Sequence, residues 1–217
     1  MSTILWHELL LATWQTLYMT FLAGLIAFIV GLPLGLFLLT TRPGHILASP
    51  YCHNMLAAIT NTVRSVPFII LLVALIPLTR FLTGTSIGTT AAIVPLSVAA
   101  VPFFGRLVEH ALHEVDSGLI EAGLAMGATP LQIMLKILIP EGFAGMIKGA
   151  TVTLINLVGY SAMAGAVGGG GLGDLAIRYG YHRFNVNVML STVIILIVIV
   201  QALQWLGDHI ARHYSHR

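Results

Sequence analysis

The sequence predicts an all-α integral membrane protein with five membrane-spanning helices, its N-terminus outside and its C-terminus cytoplasmic. Three observations carry that prediction. Apolar residues fill 57% of the 217 positions and charged residues only 8%, where soluble domains carry about 25% charge. Asp, Glu, Lys and Arg are absent from residues 9–41, 81–105, 149–173 and 184–207, and a fifth apolar stretch, 57–79, carries Arg64 alone. Each stretch meets the roughly 20 residues needed to cross a hydrocarbon core of about 30 Å. With five spans and the N-terminus outside, the cytoplasmic side holds Arg42, Arg64, Arg106, Lys136, Lys148, Arg212 and Arg217, and the outside holds Arg80, Arg178 and Arg183. Seven against three follows the positive-inside rule.

The spans are expected at about 13–40, 57–80, 86–108, 143–167 and 187–207, within one membrane domain over 13–204. No Lys or Arg precedes Arg42, so the first span lacks the basic start of a cleaved signal and is expected to stay in the mature protein. It contains Gly24, Gly31, Pro33 and Gly35, and TRPGH (Thr41–His45) turns the chain behind it. The second span carries Pro67 and Pro77. Arg64 reads as an anchor at the headgroups, with Ser65 beside it as a weaker candidate for substrate contact. The third span carries Pro95 and Pro102. Gly and Pro are tolerated where neighbouring helices re-satisfy the backbone. Close packing is the expected role of the Gly31/Gly35 and Gly145/Gly149 pairs.

Between the third and fourth spans lies a segment that is not a sixth. Only 14 residues separate Glu121 from Lys136, and Gly127 and Pro130 interrupt them. Residues 116–140 read instead as a cytoplasmic pair of short helices. Asp116 or Ser117 caps the first, which runs to Met126, and Gly127 supplies the left-handed turn that ends it. Thr129, Pro130 and Gln132 then give an N-cap, a Pro at the first helical position and a capping-box acceptor. Leu119, Ile120, Leu124, Leu131 and Ile133 make these helices apolar. Such a surface needs a cover, from the rest of the protein and the lipid or from a groove on a partner.

In the fourth span Asn156, Tyr160 and Met163 share one helical face at i, i+4 and i+7, with Ser161 adjacent. An amide, a phenol and a thioether on one face suit a path for a small amino acid, although Met also serves in ordinary packing. His110 and His113 lie beside Glu109 and Glu114, and His209, His213 and His216 fall in the tail. No ligand set is completed around either group, so no metal is expected. Cys52 is the single cysteine, which excludes an internal disulfide. No Ser/His/Asp or paired-carboxylate set shares a membrane depth, which argues against an intramembrane enzyme.

The segment after the third span resembles a known motif. Glu121, Ala122, Gly127, Ile137 and Pro140 are similar to the EAA motif of permease subunits in bacterial ABC importers, with Gly123 in place of its second Ala and Ile139 in place of its Leu. The likeness extends over most of the chain. VRSVPFIILL (63–72), GTSIGTTAAIVPL (84–96), GLIEAGLAMGATP (118–130) and LVGYSAMAGAVGGGGLG (157–173) look like methionine-importer permeases. The resemblance implies a type I ABC importer permease fold and a homodimer paired with two copies of a cytoplasmic ABC ATPase. It also implies an extracytoplasmic methionine-binding protein that delivers the substrate.

On this reading Glu121, Ala122, Gly127, Ala128, Thr129, Pro130 and Pro140 couple to the ATPase, with Glu121 orienting the docking helix through a charged hydrogen bond. Asn156, Tyr160, Ser161 and Met163 line the methionine path. The chain itself is expected to bind no cofactor and to be no enzyme, ATP and Mg belonging to the partner. It lacks a Gly-x-x-x-x-Gly-Lys-Ser/Thr loop, and GGGGLG (168–173) lacks the lysine and reads as a turn allowing close backbone approach on the outer face, which by resemblance meets the binding protein or is otherwise an ordinary connector. Lipid is the remaining expected partner, and nothing points to nucleic acid. The alternatives are a permease for another small amino acid, or a channel or secondary carrier that needs no ATPase. Ion coupling in a carrier calls for ionisable residues within the spans, whose interiors contain no Asp or Glu.

Overall fold

The computed structural model describes residues 3–214, with side chains from Trp6, so His216 and Arg217 lie outside the described residues. The described residues form helices and short connections: α1 (Thr3–Thr40), α2 (Pro50–Ser65), α3 (Phe68–Ala74), α4 (Ile76–Thr83), α5 (Thr89–His113), α6 (Ser117–Ala125), α7 (Pro130–Ile133), α8 (Ile139–Ala164), α9 (Gly171–Leu175) and α10 (Val186–Tyr214). Single π-helical stretches at Met134–Leu138, Gly165–Gly169 and Ala176–Tyr181 join their neighbours. One end of the bundle, the basic end, carries residues 41–49 and 114–138. The opposite end carries residues 84–88 and 165–185.

Among the described residues four helices are long and apolar enough to cross a membrane, and the bent pair α2–α3 makes a fifth when counted as one span. Helices α2 and α3 meet at 102°. The cause is local: a residue before proline is driven from the helical region, and Val66 (φ −84°, ψ 125°) before Pro67 is extended. A second break follows at Leu75 (φ −86°, ψ 0°) before α4, where Pro77 stands in the first turn, and Gly84 closes α4 at φ 75°. The second span expected at 57–80 is therefore three helices. Pro33, Pro95 and Pro102, by contrast, stay inside continuous helices.

Lipid is as apolar as leucine, so membrane helices are held by close van der Waals contact and shared hydrogen bonds. The pattern on α1 shows how. Leu9, Ala12, Thr16, Met19, Ala23, Ala27 and Gly31 recur every three or four residues and are buried, while Leu10, Trp14, Phe21 and Ile29 on other faces stay exposed. The small residues let α1 lie against α5, the most extensive helix pair. A Cβ on Gly35 would stand 2.5 Å from the Gly105 carbonyl oxygen and 2.6 Å from Val108 Cβ. One on Gly145 would stand 2.8 Å from Ala111 Cβ, so α8 approaches α5 in the same way. Thr and Ser hydroxyls within the spans donate to carbonyls one turn back, as in Thr40 to Leu36 (2.8 Å), Thr60 to Leu56 (2.7 Å) and Thr153 to Gly149 (2.8 Å). These bonds satisfy the hydroxyl hydrogens within the helix itself.

Because the obstruction at Gly35 is backbone, Gly35→Val is expected to force α1 off α5. The cost is about 1–3 kcal/mol, the usual penalty of overpacking. Thermal unfolding of the detergent-solubilised complex checks this, and an unchanged midpoint contradicts it.

The glycine run from 165 to 173 makes the close backbone approach expected of it, and the approach is to buried neighbours. Gly169, Gly171 and Gly173 are buried. The Gly171 N–H donates to Gln15 Oε1 and the Leu172 N–H to Thr16 Oγ1, both at 2.9 Å, which ties the run to α1. The Gly88 N–H donates to the Gly168 carbonyl (2.9 Å). A side chain on Gly173 would lie on the Ala162 carbonyl. Backbone approach between α8 and α9 is what the glycines serve.

Candidate functional site

The segment after α5 is built by its caps. The Asp116 carboxylate accepts from the Gly118 N–H (2.8 Å) and starts α6. At the other end the Gly127 N–H donates to the Leu124 carbonyl (2.9 Å) and the Ala128 N–H to the Gly123 carbonyl (3.0 Å). These two bonds with Gly127 at φ 79° form a Schellman motif, which only glycine adopts without strain. Thr129 then starts α7 with both halves of a capping box: its hydroxyl accepts from the Gln132 N–H (3.4 Å), and Gln132 Oε1 accepts from the Thr129 N–H (2.9 Å).

The second half departs from the expected pair of short helices. Helix α7 does not end but runs through the π-helical stretch into α8, a continuous helical path from Pro130 to Gly169 with Pro140 near its start. Only α6 is a separate helix. A push on it at Gly127 thus bears directly on the base of a spanning helix.

The apolar surface of this segment is largely uncovered by its own chain. Leu119, Leu124, Met126, Leu131 and Leu135 are exposed, while Ile133 and Leu138 are fully buried and Ile120 is half-buried. Glu121, Ala122, Gly127, Thr129 and Pro140 are exposed, and Ala128 and Pro130 half-buried. Among the described residues the Glu121 carboxylate takes part in no ion pair. Its expected orienting hydrogen bond is not made within the chain. Gly123 packs inward, where a Cβ would meet Ile137 Cδ1 at 2.8 Å, so glycine at this motif position brings α6 close to the following helix.

Sequence reasoning missed the ion cluster above this segment. Glu109 is 1% exposed. Arg106 Nη1 donates to its Oε2 at 2.6 Å, and Arg42 Nη2 approaches its Oε1 at 3.0 Å. The Arg42 contact is an ion pair too poorly aligned to be a hydrogen bond, so the Arg106 bond is the stronger of the two. Arg106 Nη2 also donates to Asn61 Oδ1 (3.0 Å) and the Ala57 carbonyl (3.4 Å) on α2. One carboxylate thus joins the end of α1, the helix α2 and the last turns of α5. Burial, then His113 and Arg42, hold the nearby His45 imidazole below its usual range. The i, i+3 spacing of Arg106 and Glu109 is the signal that was available. Their burial was not. His110 lines a neighbouring cavity of about 590 Å³ between α5 and α8, with Glu114, Glu141 and Lys148. Among the described residues no three His, Cys, Asp or Glu side chains converge as metal ligands would.

The fourth-span residues divide. Asn156 and Tyr160 are half-buried, and Met163 is 49% exposed on a face shared with Lys148, Val152 and Gly159. Ser161 turns inward instead: it is 1% exposed and its hydroxyl donates to the Val158 carbonyl (2.7 Å). Tyr160 stacks on Phe68, ring centroids 4.5 Å apart and planes 7° apart. These two rings, Phe103 and Arg64 line a cavity of about 160 Å³ at the break in the second span.

This fold and segment can be set beside known proteins. A profile of the family described as binding-protein-dependent transport system inner membrane component matches residues 31–216. The chain belongs to that family. This permease is a component of the bacterial inner membrane, with the type I ABC importer permease fold. It is similar to the probable D-methionine transport system permease protein MetI of Vibrio cholerae, 54% identical over 209 residues that make up 96% of this chain and 93% of the relative. The probable MetI of Pasteurella multocida is 52% identical over the whole length of both chains. A chain in a solved structure of inward-facing conformations of the MetNI methionine ABC transporter superposes with a TM-score of 0.97 at 51% identity, over 99% of each chain. A chain of an amino acid ABC transporter solved with histidines shares the fold at 19% identity and a TM-score of 0.78.

Proposed function

We propose that two copies of this permease, with two copies of a cytoplasmic ABC ATPase, import methionine across the inner membrane by alternating access. Both stereoisomers and close derivatives are cargo, delivered by an extracytoplasmic binding protein. The observation that carries this reading is the likeness over 99% of the chain to a methionine ABC transporter chain. The basic end lies in the cytoplasm, consistent with its excess of Arg and Lys. The exposed leucines of α6 and α7, with Glu121 and Gly127 between them, dock into a groove on the ATPase, which holds ATP and Mg. When the ATPases close, α6 acts through the Gly127 turn on α7, which is continuous with α8. The exposed face with Asn156, Gly159 and Met163 borders the passage between the two copies, and Ser161 supports it from behind.

Uptake of labelled methionine tests the substrate. The permease is produced with its ATPase and binding protein in a strain without methionine import. Uptake is expected, competed by unlabelled L- and D-methionine and not by excess histidine. Import of a different amino acid, with none of methionine, overturns the assignment.

A further inference from the structure

We infer that Arg64 is the recognition group for the carboxylate of the transported amino acid, in the cavity where the second span breaks. The inference rests on the amino-acid import reading and names the residues that hold the cargo inside it. Arg64 was expected to anchor at the headgroups, and in the fold it also borders an aromatic cavity. Its guanidinium lies 5.9 Å from the centroid of the Phe103 ring. Arg64, exposed on the single chain, lines one cavity with Phe68, Phe103 and Tyr160.

A cation placed there needs a counter-charge, and this chain does not provide one. Arg42 and Arg106 both pair with Glu109, whereas among the described residues Arg64 pairs with no carboxylate. Nor would a second copy provide one from its apolar runs. Phe103 and Tyr160 belong to the runs 81–105 and 149–173, which contain no Asp or Glu. An anion that arrives and leaves meets the requirement.

The surroundings suit a free amino acid with an apolar side chain. Non-helical backbone at membrane depth is tolerated where it lines a cavity, and broken helices build substrate sites in transporters. Here the break lies directly beside Arg64, at the extended Val66 and Pro67. A carboxylate accepts two parallel hydrogen bonds from a guanidinium fork. The last carbonyls of α2, at the negative end of its dipole, lie at the same break and favour an ammonium. The parallel Phe68 and Tyr160 rings with Phe103 offer an apolar wall, and thioether sulfur packs well against aromatic rings.

The test uses the complete complex in proteoliposomes, with one binding protein throughout. Uptake of methionine is compared with that of methionine amide, which lacks the negative charge. Because the binding protein is constant, any change in the ratio arises in the permease. Arg64→Gln is expected to lower the methionine-to-amide ratio about ten-fold or more, the effect of losing a charged hydrogen bond of about 1.5–3 kcal/mol. An unchanged ratio overturns the inference. Arg64→Lys keeps the charge and serves where the Gln variant fails to assemble. It retains a ratio between those of wild type and Arg64→Gln, since the ammonium attracts the anion as a point charge without the fork, and an assembled Lys variant without discrimination overturns it equally. If the cargo proves to be another amino acid, that amino acid and its amide replace the pair. Failure of the methionine reading and failure of the Arg64 assignment then remain separate results.

Discussion

Glu109→Ala is expected to lower the stability of the assembled permease by about 3–5 kcal/mol, the loss typical when one partner of a buried ion pair is removed. Glu109 neutralises Arg106 at 2.6 Å and Arg42 at 3.0 Å. Arg42 is one-third exposed and can turn to water, but the Arg106 side chain is only 13% exposed. Arg106 keeps its bonds to Asn61 and Ala57 and has no carboxylate left to answer its charge. A fall in thermal midpoint on the order of 10 °C corresponds to this cost in a chain of this size. Arg106→Met together with Glu109→Leu is expected to recover much of it, because an apolar pair of similar volume removes both desolvation penalties. If the single and double variants unfold together, the cluster does not act as a coupled unit.

Gly127→Pro with Glu121→Ala is expected to abolish methionine uptake, to a few per cent of wild type or below, while the complex still assembles in the membrane. Proline is locked near φ −65° and Gly127 stands at φ 79°. Proline also has no N–H for the Leu124 carbonyl. The Schellman turn is lost, and with it the angle at which α6 meets α7 and the base of α8. Assembly is spared because nothing lies within 4 Å of a Cβ built on Gly127 and Glu121 is exposed. The measurement is uptake beside ATP hydrolysis in the same preparation. Full uptake by the double variant eliminates this segment as the transmission. Loss of uptake with ATP hydrolysis still running is the signature of uncoupling.

Much of the coupling segment was legible because its signals are short-range. A capping box needs Thr129 and Gln132, three residues apart, and a left-handed stop needs one glycine. The helical path beyond Gln132 was not legible. The capping signals announce where α7 starts, but nothing local says that it continues through residues 134–138 into a span. The packing of Gly123 against Ile137 and the burial of Ile133 and Leu138 hold that path. For the glycine run of 165–173 the close backbone approach was legible, but its partners were not. They include Gln15 and Thr16, some 150 residues away.

The all-helical membrane class and the family motif were determined by the sequence alone, whereas which prolines break a helix was not. Class and motif depend on charge-free length and on residues close along the chain. The tertiary structure alone decided the partners of the charges. Arg42, Arg64 and Arg106 look alike along the chain, as isolated cations beside apolar runs. In the fold two of them share Glu109, and the third lies over Phe103 at a break with no carboxylate beside it. Burial and pairing depend on side chains brought together from separate helices, and a charge in the membrane takes its role from those neighbours.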